Sequence, residues 1–210
     1  MKTYHLNEVF YSLQGEGVRA GTANVFVRFS GCNMECDIDP GPRSPGGFIC
    51  DTEFISGHKF TGEQIVANAL LTLDVRPVEG VGVIFTGGEP GLQLDRALVD
   101  AFKAAKFGPC CIETNGTIDV SDLGLDWVSC SPKVAEHAMK LTRANELRYV
   151  VNHGKGIPRP KIGADHHLLS PAFQPDGNVR VADLNWAIKL CKDNPEWRLS
   201  VQGHKAWRVR

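Results

Sequence analysis

The ten residues Val81–Pro90, VGVIFTGGEP, decide how this chain is organised. Val81 to Phe85 form a short apolar run with β-branched members, the pattern of a strand buried on both faces. The run stops in TGGEP, Thr86 to Pro90, a loop whose two glycines and proline cannot carry a strand or a helix onward. Similar short runs occur at Asn24 to Phe29, Cys110 to Glu113, Trp127 to Cys130, Leu147 to Val151 and His167 to Leu169.

Helix-like patterns lie between several of these runs. Thr61 opens GEQIVANALLTL, in which Ile65, Ala69 and Leu73 recur on one face. Asp95 opens RALVDAFKAAK, with Leu98, Phe102 and Ala105 inward and Gly108 as the stop. Asp183 opens LNWAIKLCKD, with Leu184, Ala187, Ile188 and Cys191 on one stripe. Strands alternating with helices imply an α/β fold with right-handed crossovers and a parallel sheet. Such folds place functional loops at the carboxyl ends of the strands. TGGEP, then ETNGT at Glu113 to Thr117, then SPK at Ser131 to Lys133 follow successive strands, and three such loops favour a shared ligand site over three unrelated turns.

The 210 residues, 42% of them hydrophobic, are enough for one sizeable core, so a single domain over 1–210 is expected. With 23 basic and 24 acidic residues there is no broad electrostatic face for nucleic acid or a membrane surface. No apolar run approaches the roughly 18 residues of a membrane span, and MKTYHLNEVFYSLQGEG has no apolar leader segment, so the expectation is a cytoplasmic protein. Seven cysteines in a chain of this size read as thiols or metal ligands rather than disulfides.

Three of them, Cys32, Cys36 and Cys50, fall in FSGCNMECDIDPGPRSPGGFICDTEF, Phe29 to Phe54. Two readings stay open on spacing alone. Zinc would use these thiolates with a fourth ligand such as His58. An iron–sulfur cubane held by three cysteines would keep one iron without a protein ligand, free to bind a small chelating cofactor. Cys110, Cys111, Cys130 and Cys191 sit in apolar settings and carry no expected chemistry. Trp127, Trp186, Trp197 and Trp207 are expected in the core or an interface.

CNMEC followed by CDT resembles the CxxxCxxC motif of radical S-adenosylmethionine enzymes, interrupted by an insert from Asp37 to Ile49. TGGEP resembles that superfamily's loop for the methionine end of S-adenosylmethionine. EVFYSLQGEG, VFVRFSGCN, CDTEF, FTGGEP, IETNGT, SPK and VQGHK then follow in the order of the 7-carboxy-7-deazaguanine synthase family, so the resemblance spans almost the whole chain. It implies an incomplete, open, TIM-like radical barrel of about six βα units, with a cluster-binding loop at 30–54. An open barrel exposes sheet edge, which implies a homodimer.

The family resemblance also implies chemistry, residue by residue. Cys32, Cys36 and Cys50 would hold a [4Fe-4S] cluster whose open iron chelates S-adenosylmethionine, and Thr52 would help ligate Mg2+. Gly87, Gly88 and Glu89 would bind the methionine end, with Thr114, Ser131 and Lys133 on its carboxylate and ribose. Leu13, Gln14, Glu16, Arg28, Thr86, His204 and Arg210 would bind a pterin substrate, Arg28 pairing with its carboxylate. The implied reaction turns 6-carboxy-5,6,7,8-tetrahydropterin into 7-carboxy-7-deazaguanine with loss of ammonia, using an electron donor such as flavodoxin or ferredoxin. A glycyl-radical activating enzyme on the same scaffold, or a non-enzymatic zinc module, are the competing expectations. The insert also removes the aromatic residue usually found beside the third cysteine, leaving Phe48 and Ile49 there.

Overall fold

The computed structural model describes residues 2–37, 39, 41, 43–44, 48–50, 52–74, 76–174 and 178–209. Its strands are β1 (Thr3–Leu13), β2 (Ala23–Phe29), β3 (His58–Thr61), β4 (Gly82–Gly87), β5 (Cys110–Thr114), β6 (Trp127–Cys130), β7 (Arg143–Val151), β8 (Gly163–Pro171) and β9 (Trp197–Leu199). They form one open mixed sheet in the order β3-β1-β2-β4-β5-β6-β7-β8-β9. From β2 through β4 to β9 each neighbouring pair is parallel, whereas β1 runs antiparallel to both β2 and β3.

The helices are α1 (Gly62–Thr72), α2 (Arg96–Ala104), α3 (Val181–Asp193) and the short α4 (Gly203–Trp207). Thr61 begins α1 with a capping box: its side chain accepts from the Gln64 N–H while the Gln64 side chain accepts from the Thr61 N–H. Asp95 caps α2 by accepting from the Leu98 N–H at 2.9 Å. Lys2 and Tyr4 donate to the same carboxylate, which ties the first strand to this helix. Both helices lay their apolar stripes on one face of the sheet. Ile65, Ala69, Leu98, Val99 and Phe102 are buried there against Val25, Val27, Phe29, Val83 and Phe85. A chain of ring contacts, Phe29–Phe85–Phe102–Phe107 at 5.4 to 6.4 Å, crosses this layer. Each such buried side chain contributes roughly 1.5–3 kcal/mol by leaving water.

Two expectations need correction. The last long helix begins at Val181, after Arg180 in extended backbone, and not at Asp183. Asp183 does not cap it, because its carboxylate is spent on the His153 N–H at 2.8 Å and on Arg180. The buried stripe of α3 is accordingly Asp183, Ala187 and Leu190, and Ile188 faces outward. The crossovers after β5, β6 and β7 are also not full helices. They contain single 3-10 turns at Ser121–Leu123 and Glu136–Ala138, and an irregular loop punctuated by Gly154, Gly156, Pro158 and Pro160.

Candidate active site

Along the parallel strands, side chains alternate between the helix-covered face and a cavity face. On β2, Val25, Val27 and Phe29 point to the helices while Phe26 and Arg28 line the cavity. On β7, Leu147 and Val151 are core, while Arg148 and Val150 line the cavity. The cavity holds about 610 Å³, within the usual range for small-molecule sites.

Cys32, Cys36 and Cys50 all stand in its wall. The cysteine loop leaves β2 at Phe29 and is stapled at both ends. The Gly31 N–H donates to the Phe54 carbonyl at 2.7 Å, and the Cys50 N–H donates to the Cys36 carbonyl at 3.3 Å. That second bond closes the insert at its base, so the third cysteine returns to the second. The insert is also tied to the residue before Cys36: the Glu35 N–H donates to the Arg43 carbonyl and Arg43 pairs with Glu35, while the Asp37 N–H donates to Ser44 Oγ. Burial pushes the Cys32 and Cys36 thiols up, and each of them also feels Cys50.

The residues present fit a four-iron cluster. Three thiols line one cavity, and among the described residues no three Cys, His, Asp or Glu side chains converge on one point as a mononuclear site requires. A cubane asks for less convergence, since each thiolate takes a different iron. His58, the candidate fourth zinc ligand, sits on β3 opposite Leu6 of β1 and outside the cavity wall. Thr52 stands in the wall beside the cysteines.

The loop after β4 reaches close to the cysteine loop. The Gly88 N–H donates to the Phe29 carbonyl, the Glu89 N–H donates to the Gly31 carbonyl, and a Cβ on Gly88 would lie 2.1 Å from the Gly31 carbonyl oxygen. Only glycine allows that approach. Thr86, Gly87, Gly88, Thr114, Ser131 and Lys133 line the cavity, but Glu89 does not. Glu89 is fully buried beneath it. Its carboxylate accepts from the Gly91 N–H at 2.8 Å, Thr114 Oγ1 at 2.9 Å and the Asn115 N–H at 2.7 Å, clamping TGGEP to ETNGT. Lys133 Nζ donates to Ser131 Oγ at 3.1 Å and lies 4.3 Å over the Phe48 ring. Burial pulls its ammonium below the ordinary lysine range, an effect opposed by Cys36. Phe48 and Ile49, both from the insert, supply apolar wall beside the cysteines.

Leu13, Gln14, Glu16 and Arg28 also line the cavity, with His204 on α4 packed against Gly15. Arg28 Nε donates to Glu8 at 2.9 Å, so that with respect to the described residues its two terminal amino groups stay available for a ligand, and its guanidinium lies 5.6 Å from the Phe10 ring centre. The SLQGEG strip is anchored from below: the Gly17 N–H donates to Ser200 Oγ at 2.9 Å and the Val18 N–H to Glu146 at 2.8 Å. Gly17 has φ +72°, and a Cβ there would strike the Glu146 carboxylate. α4 packs on the strip through the Gly203 N–H and the Gly15 carbonyl, at 2.8 Å. Arg210 lies outside the described residues.

Sequence reasoning missed Glu113, Glu146 and Arg148. Arg148 donates from Nε to Glu16 at 2.9 Å and from its terminal nitrogens to Glu113 and, at 3.4 Å, to Glu146. Burial pushes the Glu113 carboxyl up to about 7, against the pull of Arg148. The signal was present: charged residues in the apolar runs CCIET and RANELRYVV, in the phase opposite to the core positions.

The chain is similar to known proteins along nearly its whole length. The model of a family described as a 4Fe-4S single cluster domain matches residues 13–123. 7-carboxy-7-deazaguanine synthase of Burkholderia multivorans is 38% identical, with 97% of each chain covered. The synthase of Bacteroides thetaiotaomicron is 38% identical over 98% of each chain, and that of Bradyrhizobium diazoefficiens is 36% identical over 99% of this chain and 100% of the relative. The crystal structure of QueE from Escherichia coli shares the fold, with a TM-score of 0.65, 24% identity and coverage of 96% of this chain and 95% of that one.

Proposed function

The chain belongs to the 7-carboxy-7-deazaguanine synthase family, and from that premise we propose that its cavity converts 6-carboxy-5,6,7,8-tetrahydropterin to 7-carboxy-7-deazaguanine with loss of ammonia. It is an enzyme, a lyase of the radical S-adenosylmethionine class with a [4Fe-4S] cluster. The observation that carries the substrate reading is the lining of one cavity, which brings three cysteines together with the Glu16 carboxylate, the Gln14 amide and the Arg28 guanidinium.

When bound, the cluster and S-adenosylmethionine supply one-electron chemistry that begins with hydrogen removal from a substrate carbon. The chain's residues supply everything else. Glycines 87 and 88 let the backbone approach the methionine end, and Thr114, Ser131 and Lys133 offer hydroxyl and ammonium donors to carboxylate and ribose oxygens. The free terminal nitrogens of Arg28 fork onto the substrate carboxylate. Gln14 and Glu16 read the pterin's nitrogen edge, and Leu13 and Thr86 fill the wall between. His204, on α4 against Gly15, closes the cavity over the ring. Phe48 and Ile49 do the covering work of the aromatic displaced by the insert.

Thr52, which lines the cavity, would offer a hydroxyl oxygen to Mg2+, a hard cation that takes oxygen donors. The sheet ends in β3 and β9, edges that a second copy of the chain would protect, which supports a homodimer. Among the described residues no helix is long and apolar enough to cross a membrane, and the reading is a cytoplasmic enzyme reduced by a flavodoxin or ferredoxin.

Anaerobic incubation with reductant, S-adenosylmethionine, Mg2+ and the carboxytetrahydropterin tests the substrate. The expected result is 7-carboxy-7-deazaguanine with equimolar ammonia. Release of 5'-deoxyadenosine without any deazaguanine would remove the substrate assignment and leave another reaction on the same scaffold.

A further inference from the structure

Around Arg148 there is more carboxylate than cation. Glu16, Glu113 and Glu146 all meet the Arg148 guanidinium, and the four side chains are only 16%, 19%, 1% and 9% exposed, respectively. Glu146 is spent within the protein. It also accepts from Ser129 Oγ at 2.9 Å and the Val18 N–H at 2.8 Å, and it lies behind the cavity wall. Glu16, Glu113 and Arg148 stand in the wall itself. Gln14 holds the first two in place: its Nε2 donates to Glu113 at 2.8 Å and its Oε1 accepts from the Glu16 N–H at 3.2 Å. Surplus negative charge out of water is costly until a proton or a donor-rich ligand meets it.

We propose that Arg148, anchored from behind by Glu146, is a positioning residue that sets Glu16 and Glu113 side by side as a twin-carboxylate floor for the N–H edge of an aminopyrimidinone ring. This rests on the tetrahydropterin reading above, whose ring carries that edge. The geometry suits it: Arg148 presents separate nitrogens to each carboxylate, a spacing that the single ammonium of a lysine cannot reproduce.

The floor has a pH signature. The other charged or titratable groups that line the cavity are Arg28 on β2, Cys32, Cys36 and Cys50 of the cysteine loop, Lys133 after β6, and His204 and Lys205 on α4. The Cys111 and Cys130 thiols, on β5 and β6, feel Glu113 and are held neutral by burial. Burial raises the Glu113 carboxyl to about 7, and repulsion by Glu146 and Glu16 adds to this while Arg148 opposes it. An ionised carboxylate accepts N–H bonds with both oxygens, whereas the acid spends one as a donor. Ligand affinity therefore rises as pH climbs through about 7.

Equilibrium dialysis of the carboxytetrahydropterin against cluster-loaded, unreduced protein, anaerobically from pH 6 to 9, reads this directly. The wild type is expected to bind several-fold more tightly above about pH 7 than below it. Arg148→Gln moves that midpoint upward, and Arg148→Lys weakens binding by about tenfold while keeping the midpoint near that of the wild type, because the charge stays and the fork is lost. A purely structural role for Arg148 would lower thermal stability without moving the midpoint. If Arg148→Gln does not fold, Glu113→Gln serves, with weak and pH-independent binding expected. Wild-type binding that ignores pH, an unmoved midpoint in Arg148→Gln, or a surviving pH step in Glu113→Gln would overturn the inference. Absence of pterin binding at every pH would instead overturn the substrate reading on which it rests.

Discussion

Cys50→Ala assembles no intact four-iron cluster, and its product formation falls to background. In sequence, Cys50 is separated from Cys36 by a proline- and glycine-rich insert, and a stray thiol would be a fair description of it. In the fold its N–H returns to the Cys36 carbonyl, and its side chain shares the cavity wall with Cys32 and Cys36. The insert does not prevent this return, because loop closure costs only about 0.6 kcal/mol more for each doubling of length. With three thiols as the donor set, removing one leaves two irons without protein ligands instead of one. Iron and acid-labile sulfide analysis after anaerobic reconstitution measures the outcome. A variant that retains four irons and four sulfides would show that another residue is the third ligand.

Glu89→Ala is expected to lose roughly 3–5 kcal/mol of stability, because it strands several buried donors at once. The Gly91 N–H, Thr114 Oγ1 and the Asn115 N–H all donate to this one carboxylate in a fully buried setting. The melting temperature should fall by about 10 °C, at roughly 2–4 °C per kcal/mol for a domain of this size. Glu89→Gln keeps one acceptor oxygen and should fall between the two. Because Glu89 lies outside the cavity wall, the loss comes through the two loops it clamps. A melting temperature unchanged in Glu89→Ala would mean that these loops are held by other contacts, among them Asn33 with Thr117 and Asn115.

What was legible in the sequence was whatever local chemistry dictates. Short β-branched runs became β2, β4, β5, β6, β7 and β8, and the glycine- and proline-bearing loops after β4, β5 and β6 gathered at one cavity. Thr61 and Asp95 began helices because each offers an oxygen to a free N–H three residues on. β1 escaped detection because a bulge between Leu6 and Glu8 breaks its alternation, and β3 and β9 are too short to show a period. Asp183 was misread because a buried carboxylate that answers a distant loop looks, in sequence, like a cap. Glu89 shows the converse: the family pattern puts it in a binding loop, and only the fold reveals that its oxygens also accept from Gly91, Thr114 and Asn115. Arg148 and its three carboxylates were legible in principle, as charges in strands that should be apolar, but their meeting depends on register across β5, β6 and β7.

The central claim is that the interrupted cysteine motif holds a cluster with one iron open to S-adenosylmethionine, inside the cavity that binds the substrate. Electron paramagnetic resonance of the reconstituted, reduced protein, recorded before and after adding S-adenosylmethionine, tests it most directly. The account predicts the signal of a reduced [4Fe-4S] cluster whose g-values move when the cofactor is added. A cluster signal left unchanged by S-adenosylmethionine, or a colourless protein carrying one zinc ion, would contradict it.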